Sequence, residues 1–198
     1  MKALVLFAHP AFHKSKINKI LVDGLSELEG VTFHDLYEHY PEFDIDVKEE
    51  QKLLSEHDCI IFQHPFFWYS TPAILKEWQD NVLQHGWAYG SKGVALKGKY
   101  FFNAITTGAP EQAYKKGAFH DHTIKELLVP LKQTAVLCKM ISLPPFVVHA
   151  THVMDTDEIL DYKNDYFNLL KTIVDDKLDL DRVSDLDYLN HYLIKEEL

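Results

Sequence analysis

The apolar positions change period along the chain, and each change marks an element. Residues 3–8, ALVLFA, are continuously apolar, the pattern of a central parallel strand covered on both faces. From Ile17 the apolar residues recur as Ile20, Leu21 and Leu25, a helical spacing. Ser15 stands where that helix needs an N-cap. VTFHDL at 31–36 predicts a second strand after the turn at Gly30, and Val47–Glu56 predicts a short amphipathic helix. DCIIF at 58–62 predicts a third strand, with helical spacing resuming over 71–82. YFFNAITT at 100–107 predicts the fourth. Residues 123–138 predict a helix bent at Pro130, whose ring removes a backbone donor. The fifth strand is expected in MISLPPFVVHA, beginning after Pro144 and Pro145. Ile159, Tyr162, Tyr166, Leu169, Leu170 and Ile173 then predict a long covering helix. Strand and helix patterns alternate five times, which predicts an α/β fold: a doubly wound, five-stranded parallel sheet between two helical layers.

Three stretches carry more than this pattern. QHPFFWYSTPAILKEW at 63–78 places Pro65, Phe66, Phe67, Trp68 and Tyr69 in a strand-to-helix loop, at the sheet edge where such folds bind ligands. Rings there either fill a corner of the core or a dimer contact, or form a flat wall for a planar aromatic ligand. QHGWAYGSKGVALKGK at 84–99 predicts an irregular loop carrying Trp87 and Tyr89 on flexible supports. Residues 177–198 exceed what a five-stranded domain over 1–176 needs. Ser184 with Asp187 resembles a capping pair, and Leu186, Leu189 and Leu193 fall on one helical face. This predicts a short helix packed on the body or on a partner subunit, against the alternative of an acidic, partly disordered tail.

Composition narrows the function. The net charge is −10, and residues 155–198, with 13 acidic and 5 basic side chains, carry −8 of it. A near-neutral body with an acidic end excludes a nucleic-acid surface, which must be basic. No apolar run approaches the roughly 18–20 residues of a membrane span. MKALVLFAHP lacks a small-residue cleavage site and reads as a strand rather than a signal peptide. The two cysteines, Cys59 and Cys138, suit a reducing compartment, so a cytoplasmic location is expected.

The candidate chemistry gathers at three loops. His9, Ser15 and Asn18 surround a helix start, where free N–H groups and the dipole suit a phosphate; plain capping by Ser15 is the simpler alternative. The aromatic loop follows strand three, and Thr106–Ala109 follows strand four. A doubly wound sheet brings such loops to one edge. A planar, phosphorylated ligand satisfies all three, and flavin mononucleotide (FMN) is the simplest. No GxGxxG follows the first strand and no GxxxxGK[ST] occurs, which counts against dinucleotide and P-loop sites. The His120/His122 and His149/His152 pairs lack the cysteine or carboxylate company of a metal site, so no metal is expected.

HPxxxxSxxN, QHPxxWYSxPxxLKxW, HGWAYG, TTG and LPPF occur in that order between Lys2 and about Asp176. In these motifs the chain resembles the flavodoxin-like NAD(P)H:quinone oxidoreductases, especially the short bacterial flavoproteins ancillary to glutathione-regulated potassium efflux. The resemblance implies a flavodoxin-like fold, bound FMN (FAD as the alternative) and hydride transfer from NAD(P)H through the flavin to a quinone or other small aromatic acceptor. It also implies a homodimer with the site at the interface, where Trp87 and Tyr89 reach the partner's flavin or simply pack. The alternative it implies is a flavin-bound regulatory subunit of a membrane transporter. By motif, His9, Ser15, Lys16, Ile17 and Asn18 hold the flavin phosphate. Pro65, Phe66, Phe67, Trp68 and Tyr69 flank the ring system, and Thr106, Thr107, Gly108 and Ala109 bond its polar edge. Tyr114 and His120 match the spacing of a catalytic Tyr/His pair beside the flavin. Two departures stand out: Ala109, followed by Pro110, where a second Gly is common, and Phe67 in place of a polar residue.

Overall fold

The computed structural model describes residues 1–192. Its strands are β1 (Ala3–Phe7), β2 (Val31–Asp35), β3 (Cys59–Pro65), β4 (Tyr100–Thr106), β5 (Ile141–Ser142) and β6 (Phe146–Val148). The helices are α1 (Lys16–Val22), α2 (Leu36–His39), α3 (Val47–Glu56), α4 (Ala73–Val82), α5 (Ile124–Leu127), α6 (Val129–Leu137), α7 (Thr156–Val174) and α8 (Leu180–Ser184). All strand pairs are parallel, in the order β2-β1-β3-β4-β5, with β6 also beside β4. The order reverses between β1 and β3, so the loops after these strands diverge and leave a crevice at their carboxyl ends.

Residues alternate between the two faces of the sheet. Ala3 and Val5 face α1 and α7 in one core, whereas Leu4 and Leu6 join Leu54, Leu75 and Trp78 in the other. This two-sided burial is why β1 reads as an unbroken apolar run. On the second face a buried carboxylate, Glu50, accepts bonds from Tyr40 Oη and Trp78 Nε1, both at 2.7 Å, and lies 2.8 Å from His34 Nε2. The three partners hold its pKa below the usual range against the cost of burial.

Several boundaries differ from the sequence expectation. β3 runs three residues further, to Pro65, which ends it because Pro has no N–H for the ladder. α2 follows β2 directly, since the Asp35 side chain accepts the Tyr37 and Glu38 amides and caps it. The expected bend at Pro130 is a full break at Leu128, and Pro130 sits in the first turn of α6, where its missing donor costs nothing. The fifth strand is split by Leu143–Pro145 into β5 and β6, both paired with β4. Residues 84–99 are pinned rather than flexibly held: Lys139 Nζ donates to Gly90 O at 3.1 Å and Gly93 O at 2.7 Å. Trp87 and Tyr89 pack against the α4 core of their own chain.

Beyond α7 the expected Ser184/Asp187 cap is absent. α8 starts earlier, capped by Asp179, and ends at Ser184, whose hydroxyl donates to Asp181 O. Asp187 instead lies 2.7 Å from Lys125 Nζ. Leu189 is buried in the α7-side core within a short 3-10 turn, Leu189–Tyr192. Leu193, the last residue of the expected apolar face, lies outside the described residues.

Candidate active site

The loops after β1, β3, β4 and β6 enclose a cleft of about 860 Å³. The first loop contributes His9 and residues 14–18. Ser15 caps α1: its Oγ accepts from Asn18 N at 3.2 Å and Asn18 Nδ2 at 3.1 Å. The same amide reaches toward Thr106 Oγ1 at 3.5 Å, tying the first loop to the third. That leaves Asn18 Oδ1 buried with no partner among the described residues, a polar atom suited to a ligand donor. His9 Nδ1 accepts from the Ala11 amide at 3.1 Å. Burial lowers its pKa, so the ring is neutral and the proton sits on Nε2, available as a donor.

The second loop is under strain. Ser70 N donates to Phe67 O at 3.0 Å, closing a four-residue turn. Its central residues, Trp68 and Tyr69, have φ of 49° and 62°. Turns with two left-handed central residues normally use Asn and Gly, and bulky side chains there cost about 1–2 kcal/mol each. Trp68 is 91% exposed, so its own packing does not offset that cost. Pro65, Phe66, Phe67 and Trp68 line the cleft, and Phe67 meets the His9 ring edge-on at 6.0 Å.

The third loop supplies Thr106 and Gly108. Neither Gly108 nor Ala109 has positive φ, so Ala109 is unstrained where a second Gly is common. A Cβ at Gly108 would lie 2.5 Å from Nε2 of the exposed His152 ring, which would have to turn aside. Thr107 and Ala109 point away from the cleft. The Thr107 hydroxyl donates to Ala109 O at 2.9 Å and lies 3.2 Å from His149 Nδ1.

Tyr114 and His120 are brought together but lie outside the cleft lining. Their rings stack at 4.2 Å with 14° between planes, and Tyr69 Oη is 3.2 Å from His120 Nδ1. Tyr69 thus joins the aromatic turn to this pair. Burial raises the Tyr114 hydroxyl, with the Thr107 hydroxyl nearby offsetting part of the shift, so it keeps its proton at neutral pH. A fourth contributor, the loop after β6 with Thr151, His152 and Met154, was missed by sequence reasoning. The only signal for it was position, because it follows a strand that reaches the same edge.

A family model for the flavodoxin-like fold matches residues 1–170. The chain belongs to the flavodoxin-like fold family. It is 49% identical over 148 residues to the glutathione-regulated potassium-efflux system ancillary protein KefG of Serratia proteamaculans, covering 75% of this chain and 81% of that protein. Among solved structures, the general stress protein 14 of Treponema denticola in complex with FMN superposes with a TM-score of 0.82 at 36% identity, covering 87% and 99% of the two chains. The NADPH-quinone reductase of P. pentosaceus gives a TM-score of 0.74 at 33% identity over 83% and 96%. A protein described as a thermophilic tryptophan halogenase of Streptomycin violaceusniger gives 0.80 at 44% over 82% and 95%. The family shares the sheet order and crevice described above, so the four loops occupy the position where such folds bind ligands.

Proposed function

We propose that this chain is a flavin-dependent NAD(P)H:quinone oxidoreductase, with FMN held in the four-loop cleft. The strained Trp68–Tyr69 turn carries this reading. Two bulky residues kept left-handed at a cleft mouth, with one ring in solvent, are the kind of stored strain that accompanies a binding role. The likeness to an FMN complex and to an NADPH-quinone reductase supports the same assignment.

The residues fit the group. His9 Nε2–H and the Ser15, Lys16 and Ile17 region suit the phosphate, and the orphaned Asn18 Oδ1 accepts a hydroxyl or N–H donor. Pro65, Phe66, Phe67 and Trp68 offer backbone and ring surface to a flat heterocycle. Gly108 presents bare backbone at the third loop, beside the His152 ring. Thr107 and Ala109 tie the third loop to the fourth, and Tyr69 joins the aromatic turn to His120. Bound flavin supplies two-electron redox chemistry between a nicotinamide and a quinone-like acceptor. The protein's own part is to orient the reactants and to hold a proton at Tyr114 Oη or on His120, with Tyr69 Oη as relay. Trp68 at the cleft and Phe119 beside His120 are both exposed, and a second copy of the chain covers them in the homodimer we propose. The two cysteines are free and buried, in keeping with a cytoplasmic protein, and no described helix is long and apolar enough to cross a membrane.

The 49% identity to an ancillary protein of a potassium-efflux system favours a second reading, a flavin-bound regulatory subunit of such a transporter. Absorbance near 450 nm in the purified protein, with the flavin identified after denaturation, tests the cofactor. NADPH:menadione turnover separates the readings: a flavin-loaded protein without turnover supports the regulatory one. In a Tyr114→Phe/His120→Ala variant, flavin reduction or reoxidation is expected to slow about 100-fold. Unchanged rates remove the proton role from this pair.

A further inference from the structure

The segment after α7 lies beyond the residues that the family model covers, and its contacts converge on one wall of the cleft. Tyr188 is buried in a cluster with Phe66 and Tyr114, and its ring meets His149 edge-on at 5.5 Å. His149 Nδ1 lies 3.2 Å from Thr107 Oγ1. Because that hydroxyl gives its proton to Ala109 O, the His149 nitrogen is the donor.

Asn190 acts on β6, two residues before His149. Val147 N donates to its Oδ1 at 2.9 Å, and its Nδ2 donates to Val147 O at 3.0 Å. Val148 O accepts from Thr107 N at 2.9 Å, so Val148 faces β4 and Val147 faces outward. The Asn190 amide therefore supplies the two bonds that a further strand would make to this edge. Leu189 N adds a bond to Pro145 O at 2.9 Å.

The held strand leads straight into the fourth loop, which is clasped to the third. Ala150 N donates to Ala109 O, and Thr151 N and Oγ1 both donate to Thr107 O, each at 3.0 Å. The two loops are thus one unit, with Thr106, Gly108, Thr151 and His152 on its cleft side.

We propose that residues 179–192 are a positioning strap for the cleft. Tyr188 and Asn190 fix β6 and His149, these fix the paired loops at 107–109 and 149–152, and the pairing sets how tightly the cleft holds its ligand. The ligand part rests on the flavin reading above. Val183 and Leu189 anchor the strap in the main core, whereas Tyr188 and Asn190 act on the site.

The test uses the full chain as Tyr188→Leu, Asn190→Ala and, as the conservative control, Tyr188→Phe. Hydrogen exchange of the apoprotein needs no flavin. The Thr107, Ala150 and Thr151 amides are expected to exchange about tenfold faster in Tyr188→Leu and Asn190→Ala, with Val5 and Leu170 unchanged and Tyr188→Phe like wild type. Unchanged loop exchange, or protection lost equally from the core amides, overturns the strap. FMN titration by fluorescence quenching is expected to give about tenfold weaker binding in the same two variants. Variants that bind FMN as tightly as a binding-competent wild type overturn the strap's hold on affinity and leave the flavin reading intact. A wild type that does not bind FMN removes the flavin reading, and loop exchange then decides the strap alone.

Discussion

The two long walls of the cleft are built on opposite plans. The aromatic turn at Phe67–Ser70 is local: four consecutive residues, one closing hydrogen bond, two left-handed side chains and rings partly or wholly in solvent. The wall formed by Thr106–Ala109 and His149–His152 is non-local. Its two segments lie 40 residues apart at their nearest ends, are joined by several hydrogen bonds, and are backed by the buried rings of Tyr114 and Tyr188. A ligand can repay strain in the first wall by covering it. The second is satisfied in advance and serves as the fixed reference against which the first is adjusted.

Titration should separate the walls most strongly. Burial pulls His149 down to about 4, and His64, buried within β3, likewise to about 4. An unfolded chain has ordinary imidazoles near 6.5 and binds protons before the native state does. Each residue therefore contributes stability that is present above pH 6.5 and lost as pH falls through 4, at most about 3 kcal/mol apiece. Urea unfolding at pH 7 and pH 4.5 should give a flatter dependence in His149→Gln than in wild type. An unaltered slope would mean that the second wall is not closed around a neutral ring.

Packing should separate them next. Gly108→Ala brings a methyl against the outer edge of the exposed His152 ring, which can turn aside, so it is expected to cost no more than about 1 kcal/mol. His152→Gly should restore most of it in a double-mutant cycle, and additive losses would show that the contact is not the cause. The smallest effect has the opposite sign. Trp68→Gly relieves a left-handed, exposed tryptophan and should raise apoprotein stability by about 0.5–1 kcal/mol while weakening FMN binding. A variant that loses both stability and affinity would place the two walls in the same class.

Legibility followed the same division. The alternation of strands and helices and the cleft loops at 9–18 and 65–68 were readable because each depends on neighbours in sequence: an apolar run, a cap three residues from its amide, a motif of fixed spacing. The link between Tyr114 and His120 came only from resemblance, as neighbours of a flavin, since a spacing of six residues in a loop has no periodic meaning; their stacking on each other outside the cleft lining was not foreseen. Thr151, His152 and Met154 gave no local signal. The extension was misread at Ser184 and Asp187, because a capping pattern competes with a stronger cap, Asp179, five residues earlier.

What the sequence determined by itself was the alternation of strands and helices and the sites where the chain turns at the carboxyl edge. Those follow from backbone periodicity and local hydrogen bonding. The tertiary structure alone decided that Gly108 would lie beside His152 and that Tyr188 and Asn190 would reach back to β6 and His149. Each of those is a contact between distant segments, and its energy exists only once the sheet has brought them together.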